Sequence, residues 1–208
     1  SWLSGLAPPS RPDLVAMRYS TTRSTRLSAR PQLRAMSVAL LDHLGIARAD
    51  IIGYSMGARI SSFLALEHPA RLRSLVLGGL GIGLVRGVGD WDPIAEALLA
   101  PSIDTVTHPR GRMFRAFADK TGSDRLALAA CIASNRVLVT EAEAARLMLP
   151  VIVCVGTNDD IAGSPQELAD LLPDARAVDI EGRDHMLAVG DRAFKKAVLD
   201  FYAELGRL

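Results

Sequence analysis

Ala49-Asp50-Ile51-Ile52-Gly53-Tyr54-Ser55-Met56-Gly57-Ala58-Arg59-Ile60 is the stretch that decides how this chain is read. Residues 49–53 form a short apolar run, the signature of a buried strand. From Met56 to Glu67 the composition is that of a helix, closed by His68-Pro69. Between the two lies Gly-Tyr-Ser-Met-Gly at 53–57, a G-x-S-x-G arrangement. A serine on a sharp strand-to-helix turn needs small residues two positions to either side, because the backbone is crowded there. The turn pushes its Oγ out above the sheet. The helix that follows aims its free amides and the positive end of its dipole at the same point. The motif alone is common; a strand before it and a helix after it give it meaning, and Ser55 is the predicted nucleophile.

Working outward, the same strand and helix rhythm continues on both sides. Leu33, Met36, Leu40, Leu41 and Leu44 recur at helical spacing, with Gly45 where a helix ends. Residues 74–77 make a second short strand, and 150–155 a third, unbroken by polar residues as expected for a strand covered on both faces. A helix near 165–172, a strand at 176–180 and a helix over 192–205 complete the series. This order predicts an α/β fold with a doubly wound, mostly parallel sheet. The 208 residues suit a single domain, 1–208. Residues 84–146 interrupt the rhythm with helix-like stretches at 93–100, 112–118 and 125–133, and are read as a small helical cap inserted between two strands. Residues 18–32 hold no glycine and little apolar periodicity, and are read as irregular or disordered.

A serine hydroxyl needs a base to take its proton, and the base needs a carboxylate to hold its tautomer. Four histidines are available. His43, His68 and His108 lie at helix ends or beside proline, where surface and packing roles are ordinary. His185, in Gly182-Arg183-Asp184-His185, follows the last predicted strand, and loops at the carboxyl ends of parallel strands are where such sheets place their sites. Asp159 and Asp160 follow the 150–155 strand at the same sheet end. One is the acid and the other a turn or capping residue. Serine, then aspartate, then histidine is a chain order distinct from those of the chymotrypsin-like and subtilisin-like proteases.

Composition narrows the classes further. Half of the chain is hydrophobic (49%), and the net charge of +1 gives no general attraction to nucleic acid or anionic membrane. No apolar run is long enough to span a bilayer. The reading is a cytoplasmic protein whose partner is a small-molecule substrate, with no nucleic acid and no membrane. Residues 1–34 carry six arginines against Asp13 alone. Cys131 and Cys154 show neither C-x-x-C nor metal-like spacing and are read as structural.

At these residues the sequence resembles the α/β-hydrolase family, in its small-cap, esterase-like branch. Gly-Tyr-Ser-Met-Gly at 53–57 is similar to the family's nucleophile elbow, Val-Ile-Val-Cys-Val-Gly-Thr-Asn-Asp-Asp at 151–160 to its acid strand and loop, and Gly-Arg-Asp-His-Met at 182–186 to its histidine loop. Leu-Leu-Asp-His-Leu-Gly-Ile at 40–46 is similar to the helix end before the elbow strand. The resemblance implies catalytic Ser55, Asp159 and His185, with the Met56 N–H as one oxyanion donor. It implies no metal and no organic cofactor. It covers residues 33–83 and 147–205 well and the cap loosely.

The N-terminal part departs from the family pattern. The family carries three earlier strands and a His-Gly oxyanion loop, and no His-Gly dipeptide occurs here. Residues 1–17 are similar to the family's first helix and fourth strand, so the chain is expected to be N-terminally truncated, an incomplete α/β-hydrolase fold. Residues 17–32 are expected to reflect an incomplete or frame-shifted coding segment rather than a basic loop for an acidic partner. The expected function is hydrolysis of small-molecule ester or related acyl bonds through an acyl-enzyme. The alternative is a truncated, catalytically impaired fragment or binding module, forming a homo-oligomer through an exposed sheet edge.

Overall fold

Strands form where β-branched and aliphatic residues run together, and helices where polar residues break those runs at helical spacing. The computed structural model describes residues 14–16, 29–89, 91–134 and 137–207. In chain order the elements are β1 (Leu14–Ala16), α1 (Ala29–His43), β2 (Ala49–Tyr54), α2 (Met56–Glu67), β3 (Leu72–Gly78) and α3 (Gly83–Arg86). They continue with α4 (Asp92–Leu99), α5 (Pro109–Thr121), α6 (Arg125–Ser134), α7 (Glu141–Ala144), β4 (Val151–Gly156), α8 (Pro165–Ala169), β5 (Ala175–Ile180) and α9 (Arg192–Glu204).

The strands lie in the order β1-β2-β3-β4-β5, every neighbouring pair parallel. Right-handed crossovers between strands laid down in sequence order bring the connecting helices to one face. Accordingly Leu41 of α1, Leu64 of α2 and Leu168 of α8 share a core with Ile51, Leu75, Leu77, Val151 and Val153. The alternate strand residues Ile52, Val76, Ile152, Cys154 and Ile180 face the other way, because successive side chains in a strand point to opposite faces. There Phe194, Val198, Phe201 and Tyr202 of α9 cover them. α9 thus lies on the second face. Each of the buried Leu, Ile, Val and Phe side chains among these contributes about 1.5–3 kcal/mol to stability. The sheet thus has helices on both faces, as the sequence predicts, but unevenly among the described residues.

Boundaries differ from the sequence reading in instructive places. β3 begins at Leu72, two residues before the predicted 74, because its alternate residues Leu72 and Ser74 are both fully buried. α8 stops at Ala169, short of the predicted 172. α1 begins at Ala29, inside the stretch expected to be irregular, whereas residues 18–28 of that stretch lie outside the described residues. The expected truncation or frame shift at 17–32 concerns largely the same segment.

The described residues divide into two compact units: those within 14–16, 36–88 and 138–207 form one, and those within 29–35 and 89–137 the other. The second unit's helices α4, α5 and α6 share an apolar centre of Ile94, Leu98, Ala118 and Ala129, with Trp91 and Phe114 packed against it. Their rings meet edge to face at 6.1 Å. The buried Arg115 guanidinium ties α5 to α4 by donating to the carbonyls of Ala97 and Ala100. Of residues 84–146, Leu84, Val139 and Ala144 are buried in the core beside the sheet. No helix among the described residues is long and apolar enough to cross a membrane.

Candidate active site

Ser55 sits between the last residue of β2 and the first of α2. Its φ of 53° makes it the one non-glycine residue with positive φ among the described residues. Such a conformation costs on the order of 1–3 kcal/mol and persists only where its surroundings enforce it. Two features enforce it here. The Ser55 N–H donates to Gly78 O at 2.7 Å, fixing the turn against the end of β3. A Cβ on Gly53 would stand 2.5 Å from Gly57 O and 2.6 Å from Ala58 N, so only glycine fits there. Gly57 differs from the sequence expectation: a Cβ there meets nothing within 4 Å. The crowding that demands a small residue lies on the strand side of the serine alone. Met56, as first residue of α2, carries an N–H with no intrahelical acceptor.

The second and third side chains arrive on loops after β4 and β5. Gly156 closes β4 against the histidine loop so tightly that a Cβ would lie 2.0 Å from Arg183 O. Asn158 N–H donates to that same carbonyl at 3.0 Å, and Gly182 N–H to Thr157 Oγ1 at 2.8 Å. The two loops are therefore one hydrogen-bonded unit. Asp184 turns its own loop by accepting from the amides of Met186 and Leu187 at 2.9 and 2.8 Å. That turn presents His185 inward, 4% exposed.

The three predicted residues meet in one chain of hydrogen bonds. Ser55 Oγ lies 2.8 Å from His185 Nε2, and His185 Nδ1 lies 2.8 Å from Asp159 Oδ2. The other carboxylate oxygen, Oδ1, accepts from the amides of Ile161 and Ala162, both at 2.9 Å. Burial works against charge on Asp159. The hydrogen bond and charge of His185, with the two amides, outweigh it and hold the carboxyl below its ordinary range. An ionised Asp159 accepts from Nδ1–H, which leaves Nε2 as the acceptor for the serine proton.

The remaining candidates separate cleanly. Asp160 is exposed, so Asp159 is the carboxylate that reaches the histidine. His43, His68 and His108 are exposed. His108 caps α5 by accepting from Gly111 N–H through Nδ1. Both cysteines are free thiols, and burial pushes Cys154 up to about 12. No group of His, Cys, Asp and Glu among the described residues is arranged to hold a metal ion.

Sequence reasoning missed Tyr54. Its hydroxyl donates to His185 O at 2.7 Å, its ring stands 5.7 Å from the imidazole, and its other edge meets Phe194. Burial first, then the Asp159 and Asp184 carboxylates, push its pKa well above the ordinary phenol range, so it remains a neutral donor. The tyrosine is visible in the elbow motif, but its partner lies 131 positions away. Nothing local in the sequence signals the pairing.

A parallel sheet with a serine on the turn after one strand, and an aspartate and a histidine after two later ones, defines a hydrolase-type fold. The comparisons agree. A family model of the alpha/beta hydrolase fold matches residues 11–106. The 2-hydroxymuconate semialdehyde hydrolase of Pseudomonas putida is 35% identical over 72 residues, covering 34% of this chain and 26% of that protein. The match thus spans about a quarter of that relative's length. A putative carbamate hydrolase of Pseudomonas savastanoi pv. phaseolicola is 28% identical over 228 residues, covering 96% of this chain and 87% of the relative. Among solved structures, a hydrolase from Pseudomonas aeruginosa PA01 superposes with a TM-score of 0.68 at 29% identity, covering 88% of this chain and 74% of that one. The chain thus has an α/β-hydrolase fold, and its residues 11–106 match that family's model.

Proposed function

We propose that this protein is a serine-dependent hydrolase of small-molecule ester or related acyl bonds. The observation that carries the reading is the continuous hydrogen-bonded chain Ser55–His185–Asp159, with both links at 2.8 Å. In the first half-reaction His185 Nε2 takes the Ser55 proton as Oγ attacks the substrate carbonyl carbon. The Met56 N–H, at the positive end of α2, donates to the carbonyl oxygen as it gains charge. Collapse of the tetrahedral intermediate breaks the bond to the leaving alcohol, which receives the proton from His185. In the second half-reaction His185 deprotonates water, which attacks the acyl-enzyme. The acid departs and Ser55 regains its proton. Asp159, ionised and held by two amides, keeps the imidazole in the tautomer this sequence needs.

The hydrolase names of the relatives support the reaction class, and the putative carbamate hydrolase supports an acyl-type carbonyl as the group attacked. Helices α4 to α6, inserted in sequence between β3 and β4, support reading residues 84–146 as a helical cap insertion. We place the protein in the cytoplasm. The test is labelling with a fluorophosphonate, followed by peptide mapping, alongside turnover of p-nitrophenyl acetate and a p-nitrophenyl carbamate. Label on Ser55, with turnover abolished in Ser55→Ala, is expected. A folded protein that takes up no label refutes the nucleophile.

A further inference from the structure

Arg59 is buried to 6% exposure on the first turns of α2, four residues after Ser55. A cation is badly placed there: the near end of the helix dipole is positive, and a guanidinium removed from water needs acceptors to offset its desolvation. Arg59 reaches acceptors outside its own helix. Its Nη2 donates to Gly83 O at 2.9 Å and its Nη1 to Leu84 O at 3.3 Å.

Those carbonyls belong to the segment after β3, and that segment is fastened to the acid loop. Gly81 and Gly83 both donate to Ala162 O at 3.0 Å, and Ile82 donates to Ser164 O at 2.9 Å. The two backbones touch. A Cβ on Gly81 would stand 2.3 Å from Gly163 O, and one on Gly83 would stand 2.8 Å from Ala162 O. Ala162 in turn donates to Asp159 Oδ1 at 2.9 Å. The path closes on itself: Arg59 N–H donates to Ser55 O at 3.2 Å, and Ser55 Oγ meets His185, which meets Asp159.

We propose that Arg59 is a positioning residue for Asp159, acting through the 81–84 and 161–164 segments to hold the carboxylate in register with the nucleophile helix. The proposal rests on the reading of Ser55, His185 and Asp159 given above. One rigid helix then carries both the serine and the anchor for the acid, so the distance between them is set by α2 and not by two independent loops.

Arg59→Met removes the donors and keeps much of the length of the stem. Arg59→Lys keeps the charge but cannot fork to two carbonyls. Each variant is compared with the wild type for melting temperature, for kcat and KM on p-nitrophenyl acetate, and for the pH dependence of fluorophosphonate labelling at Ser55. For Arg59→Met we expect kcat and labelling to fall by about 10- to 100-fold, the scale of a misplaced catalytic group, with KM little changed. Its normalised labelling profile should also begin at lower pH, because a displaced carboxylate stabilises the imidazolium less. Arg59→Lys should fall between the two, and it decides the matter if Arg59→Met does not fold. A merely structural arginine would lower the melting temperature and leave the rate and the profile of the folded protein in place, which overturns the proposal. A folded wild type without label overturns the Ser55 reading itself, and the role of Arg59 with it.

Discussion

Asp159 shows how much of this site depends on single atoms. Its side chain is fully covered, one oxygen faces His185 and the other faces two amides. Asparagine has the same shape but offers an NH₂ where an acceptor is needed, or forces the imidazole into the tautomer that cannot accept from serine. In Asp159→Asn we expect kcat on p-nitrophenyl acetate to fall by about 10⁴-fold while the fold is retained, as shown by an unchanged far-ultraviolet spectrum. Tyr54 holds the other side of the histidine. Tyr54→Phe keeps the ring on Phe194 and leaves His185 O without its hydroxyl donor. The expected stability loss is about 0.5–1.5 kcal/mol, read as a lower urea midpoint at constant slope, with a fall in kcat rather than a rise in KM.

At the scale of elements, the site is assembled by strand ends. β2, β3, β4 and β5 run parallel, so their carboxyl ends share one rim, and the residues just past three of them meet. The precision comes from backbone fitted against backbone. Gly156 is the tightest of these fits, and no flexible side chain separates its would-be Cβ from Arg183 O. Gly156→Ala must therefore push the histidine loop away from the acid loop. We expect activity to drop by about 100-fold or more, checked by steady-state turnover, while the sheet core of Ile152, Val153 and Cys154 keeps the protein folded. The helical unit follows a different logic, with its own apolar centre and its own buried arginine.

Across the whole molecule, the same carboxylate couples the site to stability. The folded state holds Asp159 below its ordinary value of 3.8, because burial is outweighed by His185 and the two amides. The folded protein therefore keeps this carboxylate ionised where the unfolded chain has begun to bind the proton. Its contribution is fully present above the unfolded value and is lost as pH falls through the lowered folded one. We expect the wild-type urea midpoint to decline through the acid range more steeply than that of Asp159→Asn, measured by fluorescence at matched pH. An equal decline in both would show that other groups govern acid unfolding.

The fold class was readable, and so were the three residues that meet at the candidate site, because each leaves a local mark. The elbow is short, strand-flanked and glycine-bound; the acid follows an unbroken apolar run; the histidine follows the last strand. Their chain order then fixes the topology in which parallel strand ends must gather. Three things were left to tertiary structure. Tyr54 and Arg59 act through partners 131 and 24–25 positions away, and no periodicity records such pairings. The choice of Asp159 over its neighbour by geometry depends on which side chain the turn directs inward. The bounds of the helical unit depend on which residues beside it, such as Leu84 and Leu147, find a place in the sheet core. Local patterns are set by chain chemistry over a few residues, whereas these outcomes depend on close approach between segments that only the folded chain brings together.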